Sequence, residues 1–138
     1  MRDMEFRGKR TDKGEWLYGY IYRCGWTGKE NAYIVPNWPH LIEVDPSTVG
    51  QYTGLKDKNG TKIFEGDIVK RFLLGQMYIF QIVYDNGLTS FIGQAGKKFT
   101  TFDYDPAEFD SAEFEVVGNI HDNPELLRGN DNVTGEEM

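Results

Sequence analysis

The chain has 138 residues, one cysteine and a formal net charge of −7 at neutral pH. This length suits one domain, or one domain with a small appendage. A single cysteine excludes an internal disulfide and favours a reducing cytoplasm. The first ten residues include several charged side chains and no apolar run, so we expect no signal peptide. No stretch approaches the roughly 20 apolar residues of a membrane span, so we expect no membrane segment.

The charge is unevenly distributed. Residues 1–71 contain 12 Lys or Arg and 10 Asp or Glu, whereas residues 72–138 contain 3 and 12. A protein that binds generic duplex nucleic acid needs a basic face to displace counterions from phosphates. The second half cannot supply one, so we do not expect this activity.

Strand patterns dominate the first 44 residues. Residues 16–22 predict a strand whose two-residue period places four aromatic side chains on one face: Trp16, Tyr18, Tyr20 and Tyr22. A turn at 27–31 and a returning strand at 32–35 predict a hairpin. Two prolines make residues 36–40 irregular, and residues 41–44 form a short predicted strand.

Turn signals follow. An Asp-Pro start predicts a single helical turn at 45–48, because Asp caps helices and Pro suits the first helical position. The block Gly50–Val69 combines turn residues with apolar anchors, of which Tyr52 and Leu55 are the expected core residues. The residues that we expect to set its turns are Gly50, Gly54, Asn59, Gly60, Glu65, Gly66 and Asp67.

The second half continues with strands. Residues 63–64, 67–74, 78–84, 88–92 and 112–117 predict strands, and Asp85-Asn86-Gly87 predicts a hairpin turn before the fourth of them. A loop is expected at 94–98, and short helical turns at 105–108 and 123–127. From Arg128 onward we expect a disordered tail. This pattern favours an all-β roll or small barrel with short helical turns only.

Three blocks carry a resemblance to a known family. They are Phe6–Lys9 with Trp16–Gly19, then Val49–Val69, then Val116–Leu127. In this order they resemble the YopX family, small proteins of phages and prophages of Gram-positive bacteria, over about residues 5–127. The resemblance implies a phage or prophage origin and a mainly β fold whose second half is an SH3-like roll. It implies no activity, catalytic residue or cofactor.

We therefore predict an N-terminal β subdomain over residues 1–52 and an SH3-like roll over residues 53–123. A short helix and the tail complete the chain over residues 124–138. Self-association is expected, because exposed edge strands in a small β protein favour coverage by another copy.

The candidate binding residues are aromatic or basic. Trp38 lies in a proline-bounded loop and Trp26 near a turn, which makes both interface candidates. The stripe that begins at Trp16 suits stacking on a base, although packing against a neighbouring sheet is the favoured interpretation. The full set for a ligand or partner is Arg7, Trp16, Trp26, Trp38, Tyr52, Lys56 and Lys62.

Three functions remain open. The first is a non-enzymatic phage accessory protein that binds a host or phage protein in the host cytoplasm. The second is a small-ligand or nucleotide binder, acting in counter-defence, that combines stacking with Arg7, Lys56 or Lys62. The third and least favoured is a metal-assisted hydrolase that uses Glu65 and Asp67.

No motif supports catalysis or a metal site. His40, His121 and Cys24 share no ligand spacing such as C-x-x-C or H-x-x-x-H. The chain also has no G-x-S-x-G nucleophile elbow and no G-x-x-x-x-G-K-[ST] phosphate loop. We therefore expect no enzyme activity, no metal and no cofactor.

Overall fold

A computed structural model of the chain describes residues 4–26, 29–73, 75–86, 90–95, 98–101 and 114–127. The protein is composed mainly of β-strands, as the sequence predicts. It divides into two units, Met1–Gly54 and Leu55–Met138, compared with the predicted boundary after residue 52. In the described part, no helix is long and apolar enough to cross a membrane.

The first unit is an antiparallel sheet. Its strands are β1 (Phe6–Lys9), β2 (Trp16–Trp26), β3 (Lys29–Val35), β4 (Ile42–Val44) and the first five residues of β5 (Gly50–Lys56). Their order is β4-β3-β2-β1-β5. The predicted strands at 16–22 and 32–35 are confirmed. Because β3 begins at Lys29, residues 29–31 lie in a strand rather than in the predicted turn.

One face of this sheet forms the core of the first unit. Ala32, Ile34 and Val44 are fully buried there, and Leu17 and Ile21 of β2 pack against them. Gly8 leaves the necessary room, since a Cβ at this position would lie 2.7 Å from Val44 Cγ2. The alternation of β2 therefore sends its tyrosines to the opposite face.

The predicted helical turn after β4 is confirmed as a 3-10 turn, Pro46–Thr48. Asp45 caps it by accepting a hydrogen bond from the Ser47 N–H (3.0 Å). The Thr48 hydroxyl donates to Asp45 O (2.6 Å) and accepts from the Lys9 N–H (2.9 Å). The sequence predicts this turn because the capping residue and the proline are neighbours in the chain, at the start of the turn itself.

The second unit contains a five-stranded antiparallel sheet. Its elements are the end of β5, then β6 (Lys62–Phe64), β7 (Asp67–Leu73), β8 (Gln76–Asp85), β9 (Ser90–Ala95), β10 (Lys98–Thr101), β11 (Phe114–Asn119) and a helical turn at 125–127. The sheet order is β10-β9-β8-β7-β11. Neither sheet closes on itself within the described residues, so the SH3-like roll is not confirmed.

Most of the elements predicted for the second unit correspond to observed ones. The strands at 63–64, 67–74, 78–84 and 112–117 and the terminal helical turn correspond to observed elements. Part of the predicted loop at 94–98 is instead the end of β9 and the start of β10. The predicted helical turn at 105–108 and the tail from Arg128 lie outside the described residues.

The core of the second unit is formed by large apolar side chains from four strands and β6. Phe80 and Ile82 are two residues apart on β8 and both belong to this core. Tyr78 packs partly against this core, and Tyr84 makes an edge contact with Phe91, with ring centroids 5.1 Å apart. The buried members are Ile63, Val69, Phe80, Ile82, Phe91 and Phe114.

The predicted turn residues fall into two groups. Gly50 and Gly54 lie within β5 rather than in a turn. The Asn59-Gly60 turn is confirmed, with a positive φ of 82° at Gly60 and a hydrogen bond from its N–H to Asp57 O (3.0 Å). Glu65 and Gly66 form the turn before β7, where the Gly66 N–H donates to Ile82 O (2.8 Å).

Candidate functional site

The tyrosines of β2 form an exposed face. Tyr18, Tyr20 and Tyr22 are 46, 70 and 50% exposed, so a large part of each side chain is accessible to solvent. Tyr22 contacts Tyr33 of β3, with ring centroids 6.1 Å apart. The face is therefore a continuous aromatic surface that is available to another molecule.

A groove of about 530 Å³ opens at the end of this face. Trp38 is 81% exposed and Leu41 is 40% exposed, which makes them accessible from solvent. Small-molecule and peptide sites have this concave and mainly apolar character. The lining residues are Tyr20, Ile21, Tyr22, Val35, Pro36, Asn37, Trp38 and Leu41.

Gly19 brings the two sides of the groove together. The pairing of β2 with β3 ends at Tyr20 and Val35, after which the chain passes directly over Gly19. A Cβ at residue 19 would overlap Val35 O and would lie 2.9 Å from Val35 C and 3.0 Å from Pro36 Cα. Because residue 19 has no side chain, the segment that carries Trp38 can lie directly against β2.

A short turn presents Trp38. The His40 N–H donates to Asn37 O (2.8 Å), and the Trp38–Pro39 peptide bond is cis. The hydrogen bond closes the turn around Trp38 and Pro39. The indole is thereby held outward at the mouth of the groove.

Among the residues that the structure describes, the groove lining contains no Asp, Glu, Lys, Arg or His. Ion pairs of the first unit use other residues, among them Arg10 with Asp12 (2.8 Å) and Arg23 with Glu30. Bonding to Arg10 lowers the pKa of Asp12, although partial desolvation opposes this effect. The described lining therefore offers apolar surface and neutral hydrogen-bonding groups.

Trp16 has a different environment from the other stripe residues. The Arg7 guanidinium lies 4.7 Å from the centroid of its ring, and Lys9 Nζ lies 5.9 Å away. Arg7 is only 6% exposed. These cation–π contacts involve the chain's own cations, so Arg7 and Trp16 are placed for packing within the sheet.

The remaining predicted binding residues are dispersed. Tyr52 is buried, at 4% exposure. Trp26 ends β2, and its side chain lies outside the described part. Lys56 and Lys62 are exposed residues of the second unit. Of the predicted residues whose side chains the structure describes, Trp38 alone lines the groove.

Sequence reasoning did not single out most of the lining. The period of β2 placed Tyr20 and Tyr22 on one face, but it does not tell which face of a strand is covered. Gly19 carried no sequence signal, because its role depends on a backbone that passes over it. The proline-bounded loop was the one feature that pointed to the site.

The residues of the hydrolase hypothesis have structural contacts. Asp67 is 2% exposed, and its carboxylate accepts a hydrogen bond from the Phe64 N–H (2.7 Å). Across the described ranges, no group of three or more His, Cys, Asp or Glu side chains is arranged to hold a metal ion. Asp67 thus has a clear role in fixing the turn between β6 and β7.

The fold and the groove define a mainly β protein with an exposed and uncharged aromatic recess. The model of the family described as YopX protein matches residues 2–128, so the chain belongs to the YopX family. The crystal structure of protein EF1440 from Enterococcus faecalis is similar, with a TM-score of 0.54 and 26% identity. The match covers 93% of this chain and 100% of that one. No curated protein matches the sequence.

Proposed function

We propose that the protein is a non-enzymatic binding module that recognises a host or phage protein through the groove. The observation that carries this proposal is the 81% exposure of Trp38 beside a mainly apolar lining. Large exposed aromatic side chains around a recess are typical of interaction sites. The proposal includes a phage or prophage origin and action in the bacterial cytoplasm.

Two further features belong to the same proposal. The second unit is expected to be an SH3-like roll, and the protein is expected to self-associate through exposed strand edges. A nucleotide ligand has less support, since a phosphate requires cations or backbone donors and the groove lining supplies no cation.

Replacing Trp38 with alanine is expected to abolish stoichiometric partner capture. Loss of a central aromatic contact costs about 2 kcal/mol or more of binding free energy, which is roughly thirtyfold in Kd. The measurement is affinity capture with the immobilised full chain from a lysate of Enterococcus faecalis, the source of the similar structure. The captured protein is then titrated against each variant.

Phe72→Ala is the matched control, because Phe72 is a 63% exposed aromatic residue of the second unit. We expect this variant to capture the partner as the unaltered chain does. Capture that survives Trp38→Ala, or that is lost equally in Phe72→Ala, would contradict the assignment of the groove. Failure of every variant to capture a protein would contradict the proposed function.

A further inference from the structure

The lining of the groove restricts the charge of a molecule that could bind there. All eight lining residues that the structure describes are uncharged at neutral pH. A charged group placed there would lose hydration without gaining an opposite charge, which is unfavourable. The matching segment of a partner is therefore uncharged where it contacts Tyr20, Tyr22 and Trp38. The first unit as a whole is neutral by sequence, with seven basic and seven acidic residues.

Each polar side chain of the described lining can donate a neutral hydrogen bond. Tyr20 and Tyr22 contribute hydroxyls, Trp38 an indole N–H and Asn37 a side-chain amide. Hydroxyls and amides also accept, but the indole only donates. A segment rich in exposed carbonyl oxygens and poor in N–H groups complements such a set.

A polyproline II segment has these properties. Its backbone makes no internal hydrogen bonds, so its carbonyls remain available, and proline has no N–H to leave unsatisfied. Its rings are apolar and uncharged. Because the segment is extended before it binds, little conformational entropy is lost when it docks on aromatic side chains.

We propose that the groove of Tyr20, Tyr22 and Trp38 binds a proline-rich segment of the partner in the polyproline II conformation. This inference rests on the proposed function and specifies the chemistry of the partner. It also explains why the lining is uncharged although the chain carries 37 charged residues.

The test is a titration of the ¹⁵N-labelled full chain with a capped decaproline peptide, followed by two-dimensional NMR. The Trp38 indole N–H resonance is assigned from a Trp38→Phe variant. We expect this resonance to shift and saturate with a Kd of about 1 mM or tighter, since the isolated motif lacks the remaining partner contacts. A capped glycine–serine decamer is the matched control and is expected to leave the resonance unchanged.

Four variants place the binding on the groove. Trp38→Ala, which lacks the indole resonance and is followed by the backbone amides of Tyr20 and Tyr22, and Tyr20→Ala are each expected to weaken decaproline binding about tenfold or more. Phe72→Ala is expected to retain it. Tyr20→Phe removes only the hydroxyl and is expected to weaken binding less than Tyr20→Ala does. Spectral dispersion in each spectrum checks that the variant is folded.

Several results would overturn the inference. They are no response to decaproline at millimolar concentration, an equal response to the glycine–serine peptide, or a Trp38 shift that is caused instead by ATP, by RNA or by raising the concentration of the protein alone. If decaproline fails while partner capture still depends on Trp38, the proposed function stands and the proline-rich occupant is wrong. If both fail, the groove is not the binding site.

Discussion

The Asp57→Ala protein is expected to lose about 3–5 kcal/mol of its free energy of unfolding. The buried carboxylate of Asp57 accepts three backbone hydrogen bonds, from the N–H groups of Asn59 (2.8 Å), Thr61 (2.9 Å) and Val116 (2.9 Å). Each bond to a charged group contributes about 1.5–3 kcal/mol, and the contributions do not add fully. Alanine removes all three acceptor interactions at once.

The loss would reach beyond the turn itself. The bond to Val116 joins residues 59 positions apart in sequence and attaches the Asp57 turn to β11. The Lys58 N–H donates to Phe114 O (3.0 Å) beside it. The turn therefore covers the outer edge of β11, and its release would expose that edge.

Chemical denaturation of the purified variants measures this effect. Asp57→Asn retains one side-chain oxygen as a hydrogen-bond acceptor and is expected to have intermediate stability. Asp12→Ala is the control, because Asp12 forms an exposed ion pair with Arg10, and solvent screening leaves exposed pairs little effect on stability. A loss in Asp57→Ala no larger than that in Asp12→Ala would show that the three bonds do not hold β11.

Stability is also expected to fall in acid through Asp57. Burial acts to raise the pKa of this carboxyl, but the backbone N–H groups of Val116, Thr61 and Asn59, together with Lys58, lower it below the ordinary value. A lowered folded pKa means that the stabilisation is present above the unfolded pKa, about 3.9. It is lost as the pH falls through the folded pKa.

The free energy of unfolding, measured from pH 7 downward, should therefore decline below about pH 4. Asp57→Asn should show a smaller decline, since one contributing group is gone. Some decline should remain in that variant because the pKa of Glu115 is also lowered: desolvation opposes the shift, but hydrogen bonds from Lys58 and Lys70 outweigh it. If the free energy of unfolding of Asp57→Asn fell with decreasing pH as steeply as that of the unaltered protein, this account would be wrong.

Gly19→Ala is expected to cost about 2–4 kcal/mol of stability and to remove partner binding. The added Cβ would overlap the backbone of Val35 and Pro36, where no flexible side chain can yield. Overpacking of this kind costs roughly 1–3 kcal/mol, and the positive φ of 156° at Gly19 adds to it. The segment that carries Trp38 must then move away from β2.

Gly14→Ala is the matched control within the same unit. Gly14 also has a positive φ, 71°, but a Cβ there would meet only Lys9 Cε at 3.9 Å. We expect this variant to lose about 1 kcal/mol from backbone strain alone and to bind the partner normally. Comparison of denaturation and partner titration for the two variants separates the collision from the strain. Equal behaviour of the two would show that the close approach at Gly19 is unimportant.

Local signals made much of the fold predictable. The Asp45 cap followed by Pro46 predicted the 3-10 turn, and the strand pattern at 78–84 predicted β8. Such features depend on neighbouring residues in the sequence. The Asn59-Gly60 turn was predictable for the same reason, because glycine adopts a positive φ without strain.

The features that were not predictable depend on distant residues. The Asn59-Gly60 turn was expected, but the bond that the Val116 N–H donates to the nearby Asp57 requires knowledge of which strand lies beside the turn. Gly54 was expected in a turn because of its conformational freedom, yet its positive φ of 90° occurs within β5. Strand β10 was missed because its residues show no clear alternation.

The groove was predictable in part. Trp38 was selected correctly as a surface aromatic residue, because proline-bounded loops lie on the surface and present side chains. Arg7 and Trp16 were grouped with it, but their mutual contact, 4.7 Å from guanidinium carbon to ring centroid, could not be read from sequence. The exposure of Tyr20 depends on the absence of a covering layer, which no local pattern encodes.

Site-specific photocrosslinking tests the central claim most directly. A photoreactive benzoylphenylalanine is introduced in place of Tyr22, which lines the groove, or in place of Phe72 in the second unit. We expect the captured partner to crosslink from position 22, to lose that crosslink when Trp38→Ala is added, and not to crosslink from position 72. A crosslink from position 72 without one from position 22 would contradict the groove as the binding site.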